Sequence, residues 1–179
     1  MSRLQTTNVS DATGELAVLY GSIKRAIGKV PNAFATLGSN SPAILAHVLQ
    51  TGAVLESKGS LGKRELEAIN LAVSESTGCD YCVAAHTLLG KAAGYSAEQT
   101  RALRAGSYPA DPKIDALVKF ALGLVKTSGT LPAQDLAHMR DAGFSDGQVV
   151  EVIAAISAIL FTNMLNRTND TTLDFPKPD

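Results

Sequence analysis

A repeated signal that ends one helix and begins the next constrains the fold of this chain most. Residues 93–99 and residues 142–148 share Ala, Gly, an aromatic residue, Ser and Gln at matching places. In each segment the glycine is suited to end a helix, and Ser with Gln three residues later forms a capping box for the next helix. Between such signals, apolar residues recur with the helical period, and only 5% of residues are aromatic. We therefore predict an all-α fold, a compact multi-helix domain.

The similarity between residues 93–99 and residues 142–148 has two interpretations. The first is that the chain uses the same turn-and-cap device twice. The second is that a helical unit is duplicated and the second copy lacks the cysteines. Two copies are too few for a solenoid, so either interpretation leaves one compact domain.

The length of 179 residues fits one domain. We predict a single all-helical domain over residues 1–179, with loosely ordered tails at 1–10 and 170–179 and a core of about 30–170. Gly28 is predicted to end the first helix, and a long apolar helix is predicted to end the domain. Other predicted helix starts are Ser41 with Pro42, Ser60 for the helix that reaches Ser76, and Asp111 with Pro112.

Charge and hydropathy exclude several classes of function. The net charge is −1 and the basic residues are scattered, so we expect binding neither to nucleic acid nor to a membrane surface. The N-terminal residues lack an apolar signal segment, and the apolar stretch at 149–161 is too short and interrupted for a confident membrane span. We expect a cytoplasmic protein. In that compartment a C-x-x-C is more often redox-active or metal-binding than a structural disulfide.

Cys79 and Cys82 are the two cysteines of the chain, and Gly78 precedes them. If they occupy the first turn of a helix, their sulfurs share a face and the helix terminus favours a thiolate. His86 follows Cys82 by four residues, one helical turn away, where it could exchange a proton with that thiol. Glu67, on the preceding predicted helix, could orient His86. These four residues would supply a nucleophile, a resolving thiol, a base and its orienting group.

Other interpretations of these residues stay open. The two cysteines could be inert buried residues, or they could bind zinc together with His86 and Glu67, although a second C-x-x-C or a His pair is missing. Tyr81 either packs or lines a substrate pocket. We expect His47 and His138 to be structural or solvent-facing.

The pattern E67-x11-C79-x-Y-C82-x3-H86 resembles the signature of the alkylhydroperoxidase D-like proteins of the carboxymuconolactone decarboxylase superfamily. The resemblance covers roughly residues 30–170. It includes the run L-A-V-S-E-S-T-G-C-D-Y-C-V-A-A-H-T, the two A-G-[YF]-S turns and the final N-x-x-N-R. The superfamily's decarboxylase branch lacks the C-x-x-C, so the resemblance favours the peroxidase-related branch.

The resemblance implies a cofactor-free hydroperoxide reductase that associates as a trimer or hexamer. It implies that Cys82 attacks the peroxide, that Cys79 resolves the sulfenic acid as a disulfide, and that Glu67 and His86 relay protons. A thiol or lipoyl-type reductant would then restore the dithiol. The alternatives are a general thiol–disulfide oxidoreductase and a non-catalytic zinc-binding or ligand-binding helical oligomer. The family's hydroperoxidases carry a second histidine between the cysteines, where this chain has Tyr81.

Overall fold

The computed structural model describes residues 2–178, and in that range the chain contains nine α-helices and no β-strand. A short 3₁₀ turn, Val9–Asp11, precedes them. The helices are α1 Gly14–Ile27, α2 Asn32–Asn40, α3 Pro42–Ser57, α4 Lys63–Ser76, α5 Asp80–Ala92, α6 Ala97–Arg104, α7 Pro112–Thr127, α8 Ala133–Asp141 and α9 Asp146–Asn169. The predicted all-α fold is confirmed.

Helix α4 lies at the centre of the molecule and packs against α5, α6, α7 and α9. Its apolar residues face two sides, and Ile69, Leu71 and Val73 are completely buried. Ile69 and Val73 contribute to a core with α7, α8 and α9, whereas Leu71 contributes to a core with α6 and α7. Burial on both sides fixes the position and rotation of α4. The helix can therefore present Glu67 to α5 at a defined place.

The two turns predicted from residues 93–99 and 142–148 have the same structure. Gly94 and Gly143 have positive φ angles of 95° and 88°, which glycine adopts at little cost. The following aromatic residues are buried, and their N–H groups donate back to carbonyls of the preceding helix. The two capping boxes form at Ser96 with Gln99 and at Ser145 with Gln148. The shared residues thus form the same turn and helix cap in both places. Both a reused turn and a duplicated helical unit would have this structure.

Ser60 is not a helix cap, and that prediction was wrong. Helix α4 begins after Gly62, whose N–H donates to Glu65 Oε2 at 2.5 Å. The Ser60 N–H instead donates to Glu151 Oε2 on α9 at 2.8 Å, and its hydroxyl donates to the same carboxylate. A charged acceptor makes the stronger hydrogen bond, so the distant Glu151 prevails over the local cap.

Helix α9 has a mean hydropathy of 1.8 in its most apolar 18-residue window, of which 33% is buried. By length and composition it is the one helix in residues 2–178 that could span a membrane. A core helix of a soluble protein meets the same criteria. In this fold α9 packs on α3, α4, α5 and α7 and contributes Val152 and Ile156 to the core.

Both tails contact the helical body. The N–H groups of Arg3 and Leu4 donate to the backbone and side chain of Asn169, at the end of α9. Between α9 and residue 178 the chain forms no helix or strand, and its residues Leu173 and Phe175 pack on the start of α5. The predictions for Met1 and Asp179 lie outside the described residues.

Candidate active site

Cys79 and Cys82 form a disulfide at the start of α5, with 5.3 Å between their Cα atoms. Gly78, with φ of 68°, makes the sharp break between α4 and α5 that the sequence predicts. Cys79 is the N-cap of α5, and its Sγ accepts a hydrogen bond from the Cys82 N–H at 3.3 Å. Both cysteines are buried, with 1% and 3% of their surfaces exposed. A thiolate formed here on reduction would be stabilised by the free N–H groups of the first helical turn.

Glu67 and His86 form the second part of the site. Glu67 Oε2 lies 2.8 Å from His86 Nδ1, and the two side chains are 14% and 19% exposed. The other carboxylate oxygen, Oε1, accepts from the Asn70 Nδ2 amide at 3.4 Å. With Nδ1 held by the carboxylate, the opposite ring nitrogen of His86 is the one available for proton exchange. His86 and Cys82 are four residues apart on α5 and therefore share a helix face.

Asn166 on α9 is a third component, which sequence reasoning missed. Its Nδ2 donates to Cys82 Sγ at 3.4 Å, and the residue is buried. The sequence did carry a signal, because Asn163, Asn166 and Asn169 recur every three residues in the second half of the predicted long helix. Buried amides at that spacing need partners on a neighbouring element. Asn163 binds Ser74 and Thr77 of the α4 region, so the amides tie α9 to the segment that leads into the disulfide.

Tyr81 lies between the two cysteines in the sequence and is buried under the C-terminal tail. Its hydroxyl donates to Asp174 Oδ1 at 2.7 Å and accepts from the Ala33 N–H at 3.2 Å. Burial raises the pKa of the Tyr81 phenol well above its usual value, and the bond to Asp174 raises this pKa further, while the Ala33 N–H lowers it. The phenol therefore stays protonated and acts as a hydrogen-bond donor to the tail.

Residues 173–175 of the tail form a strap over the disulfide. Leu173 and Phe175 pack on Ala33, Cys79, Tyr81 and Cys82, and the Phe175 ring meets Tyr81 edge to face at 5.5 Å between centroids. Lys29 holds the strap from the other side. Its ammonium lies 2.9 Å from Asp174 Oδ2 and 4.3 Å from the Phe175 ring centroid.

An open cavity of about 540 Å³ lies beside the disulfide. Cys79 and Tyr81 line it from α5, Asn166 and Arg167 line it from α9, and Leu173 lines it from the strap. Cys82 does not line it. Tyr81 thus both packs and lines a pocket, the two alternatives that the sequence left open.

The remaining candidate residues lie elsewhere. His47 on α3 and His138 on α8 are solvent-exposed, one of the two outcomes expected for them. Within residues 2–178, no three His, Cys, Asp or Glu side chains are grouped so that they could hold a metal ion. The four residues of the zinc alternative are instead arranged as a disulfide and a separate Glu67–His86 pair.

We predict that Asp174→Ala exposes the disulfide to reductant. The change removes the acceptor of the Tyr81 hydroxyl and the partner of Lys29. Loss of about 1 kcal/mol from the strap's closed state would raise reduction by dithiothreitol roughly fivefold. The rate of disulfide reduction is measured by quenching samples with acid at successive times and counting the protein thiols released. Lys177→Ala, an exposed change in the same tail, is the control. An unchanged rate in Asp174→Ala contradicts the strap's protective role.

Residues 42–123 match the model of the carboxymuconolactone decarboxylase family. No curated protein sequence matches the chain significantly. The fold is similar to that of a peroxidase-related protein from Ralstonia eutropha JMP134, with an alkylhydroperoxidase AhpD core. The TM-score is 0.87 at 23% identity, and the alignment covers 97% of this chain and 92% of that one.

Two further solved structures have the same fold. A peroxidase-related protein from Silicibacter sp. TM1040 aligns with a TM-score of 0.79 at 20% identity, over 96% of this chain and 94% of that one. The debrominase Bmp8, in complex with 2,3,4-tribromopyrrole, aligns with a TM-score of 0.80 at 17% identity, over 97% and 92%.

The family match includes the disulfide, His86 and Glu67, and the similarity of fold extends over nearly the whole chain. The resemblance inferred from the residues of the C-x-x-C segment is therefore confirmed. Residues 42–123 thus match the model of the carboxymuconolactone decarboxylase family, and the fold of the chain is that of the AhpD-like, peroxidase-related proteins.

Proposed function

We propose that this protein is a cysteine-based hydroperoxide reductase in which Cys82 is the peroxidatic residue. The observation that carries the proposal is the Cys79–Cys82 disulfide at a helix start, with the Glu67–His86 pair one turn along the same helix face. This arrangement combines an activated sulfur, a resolving sulfur and a proton-transfer pair. The peroxidase-related proteins that share the fold support the same assignment.

The first step would consume the peroxide. The Cys82 thiolate attacks one oxygen of the hydroperoxide, the S–O bond forms and the O–O bond breaks. The alkoxide or hydroxide leaves and takes a proton, which we assign to His86. Cys82 is then a sulfenic acid, oxidised by two electrons, and the peroxide has become an alcohol or water.

The second step would form the disulfide seen in the structure. The Cys79 sulfur attacks Cys82, the S–S bond forms and hydroxide leaves the sulfenic acid as water after protonation. A dithiol or lipoyl-type reductant then returns two electrons and two protons to the cysteines. The disulfide carries the electrons, so we propose that the cycle uses no further cofactor.

Glu67 would act through His86. A carboxylate 2.8 Å from Nδ1 stabilises the imidazolium that forms when His86 accepts a proton. It also fixes the orientation of the ring, which leaves the opposite nitrogen for proton exchange. Glu67 is thus a positioning residue, and His86 is the group that exchanges the proton.

A general thiol–disulfide oxidoreductase is the second candidate. The cavity beside Cys79 favours this candidate, because thiol–disulfide exchange requires only that an incoming thiol reach one of the two sulfurs. The Glu67–His86 pair favours the peroxidase, because thiol exchange between protein and reductant has less need of a dedicated proton donor. The debrominase Bmp8 has a similar fold at 17% identity, so the fold alone does not decide the substrate.

The test is peroxide-dependent oxidation of dithiothreitol by the purified protein, with cumene hydroperoxide and hydrogen peroxide as substrates. The peroxidase proposal predicts multiple turnovers that depend on both the peroxide and the dithiol. Reduction of a small disulfide such as cystine, without any peroxide turnover, would instead support the second candidate.

We also propose that copies of the chain associate in solution. Helix α9 exposes apolar side chains that the fold leaves uncovered, among them Val150 at 66% and Met164 at 62%. A second copy of this chain packed there would remove the apolar surface from water. Sedimentation equilibrium measures the assembly, and a monomer at micromolar concentration would contradict the proposal. We keep a cytoplasmic location and the absence of nucleic-acid and membrane partners as parts of the proposal.

A further inference from the structure

We propose that Asn166 is a catalytic residue of the redox site. Its amide holds Cys82 Sγ and stabilises the Cys82 thiolate, so that Cys82 is the sulfur released when a reductant thiol attacks the disulfide at Cys79. The inference rests on the proposed dithiol–disulfide cycle. It adds Asn166 to the site and states which sulfur the reductant attacks.

The contact is specific and buried. Asn166 Nδ2 lies 3.4 Å from Cys82 Sγ, and Asn166 is 4% exposed. A sulfur in a disulfide is a weak acceptor, whereas a thiolate is charged. Hydrogen bonds to charged groups contribute about twice as much as those between neutral groups. The amide therefore favours the reduced, ionised form of Cys82 over its neutral thiol.

The other end of the amide has no partner. Asn166 Oδ1 is buried and accepts no hydrogen bond in the described part of the chain. An unsatisfied buried acceptor is unfavourable, and an apolar residue at this position would avoid that cost. Its neighbours differ, since Asn163 and Asn169 both bond to side chains of other elements. The sulfenic acid that peroxide forms on Cys82 carries an O–H, the kind of donor that this free oxygen lacks in the disulfide state.

The lining of the cavity favours attack by a reductant at Cys79. The cavity is lined by Cys79 and Asn166 but not by Cys82. A reductant thiolate in this cavity attacks Cys79 Sγ, and a new S–S bond forms between reductant and Cys79. The Cys79–Cys82 bond breaks and its electron pair stays on Cys82 as the thiolate. The second thiol of the reductant then attacks the mixed disulfide, which releases Cys79 and a cyclic disulfide. A leaving thiol with a lower pKa leaves faster, and the Asn166 N–H lowers the pKa of Cys82.

The test measures the pKa of Cys82 directly, by the rate of iodoacetamide alkylation against pH in Cys79→Ser, where Cys82 is the one thiol. Adding Asn166→Ala should raise the alkylation midpoint by about one pH unit. Asn166→Asp, nearly the same shape, should raise it further because a carboxylate oxygen replaces the N–H donor. Asn163→Ala is the matched control, since it removes a buried amide one turn earlier on α9 that does not touch sulfur. An unchanged midpoint in Asn166→Asp, or the same shift in Asn163→Ala, overturns the proposal.

A second measurement follows the direction of exchange. A monothiol reductant, quenched early with an alkylating reagent, should leave the mixed disulfide on Cys79 and the alkyl group on Cys82. Mass spectrometry of the peptides identifies both adducts, and a mixed disulfide on Cys82 in the parent protein contradicts the inference. Neither measurement uses peroxide. If the protein shows no peroxide turnover but the Asn166 variants shift the Cys82 pKa, only the proposed function is overturned. If the protein reduces peroxide but the Asn166 variants leave the Cys82 pKa unchanged, only the role of Asn166 is overturned.

Discussion

Cys82→Ser should lower multiple-turnover peroxide reduction by at least about a thousandfold, to the rate of the reductant alone. A serine hydroxyl at neutral pH is not ionised and does not form a sulfenic acid, so the S–O bond of the first step has no counterpart. Because Cys82 lies at the start of α5, where one oxygen replaces one sulfur, the helix and its cap should persist. Dithiothreitol consumption in the presence of cumene hydroperoxide measures the effect.

Cys79→Ser is the matched variant for that prediction. It should also abolish multiple turnover by the disulfide route, but it should still consume one equivalent of peroxide per chain, because Cys82 remains. Circular dichroism checks that both variants keep the helical content of the parent. Turnover of Cys82→Ser at the parent rate would show that Cys82 is not the peroxidatic residue.

Glu67→Gln should have the second largest effect, a decrease of about a hundredfold in kcat/KM for peroxide, the lower end of the usual range for general acid–base groups. Gln keeps the size of the side chain and an acceptor for His86 Nδ1 but removes the negative charge that stabilises the imidazolium. The charge lies 2.8 Å from the ring, so its loss acts on His86 directly. The pH dependence of kcat/KM should differ from that of the parent protein.

Glu75→Gln is the control for Glu67→Gln. Glu75 is on the same helix, pairs with Arg104 and is 41% exposed, so its loss should change neither the rate nor the pH profile. An unaltered pH profile in Glu67→Gln would remove the proton-transfer role from the Glu67–His86 pair.

Much of the fold follows from signals that are local in sequence. Gly28 with its positive φ, the Ser41 cap with Pro42, and the Asp111 cap with Pro112 are all where the sequence predicts them. Each involves groups within three or four residues, so backbone geometry and one side chain decide the outcome. The prediction that Ser60 caps a helix was wrong because its hydrogen-bond partner, Glu151, is 91 residues away, and no local sequence pattern encodes that contact.

The same distinction separates the residues of the site. Cys79, Cys82 and His86 share one helix, so their spacing alone predicts their common face. The resemblance predicts that Glu67 acts together with His86, and the structure has the contact between Glu67 on α4 and His86 on α5. Asn166 and Asp174 were missed, because they reach Cys82 and Tyr81 from 84 and 93 residues away. Such contacts depend on how α9 and the strap pack, which periodicity does not determine.

The central claim is that Cys82 reduces a hydroperoxide through a sulfenic acid. The direct measurement is to treat reduced Cys79→Ser protein with one equivalent of cumene hydroperoxide in the presence of a cyclic 1,3-dione that traps sulfenic acids. The account predicts one dione adduct per chain, located on the peptide that contains Cys82, together with one equivalent of cumyl alcohol. Unmodified Cys82 with the peroxide still intact would contradict it.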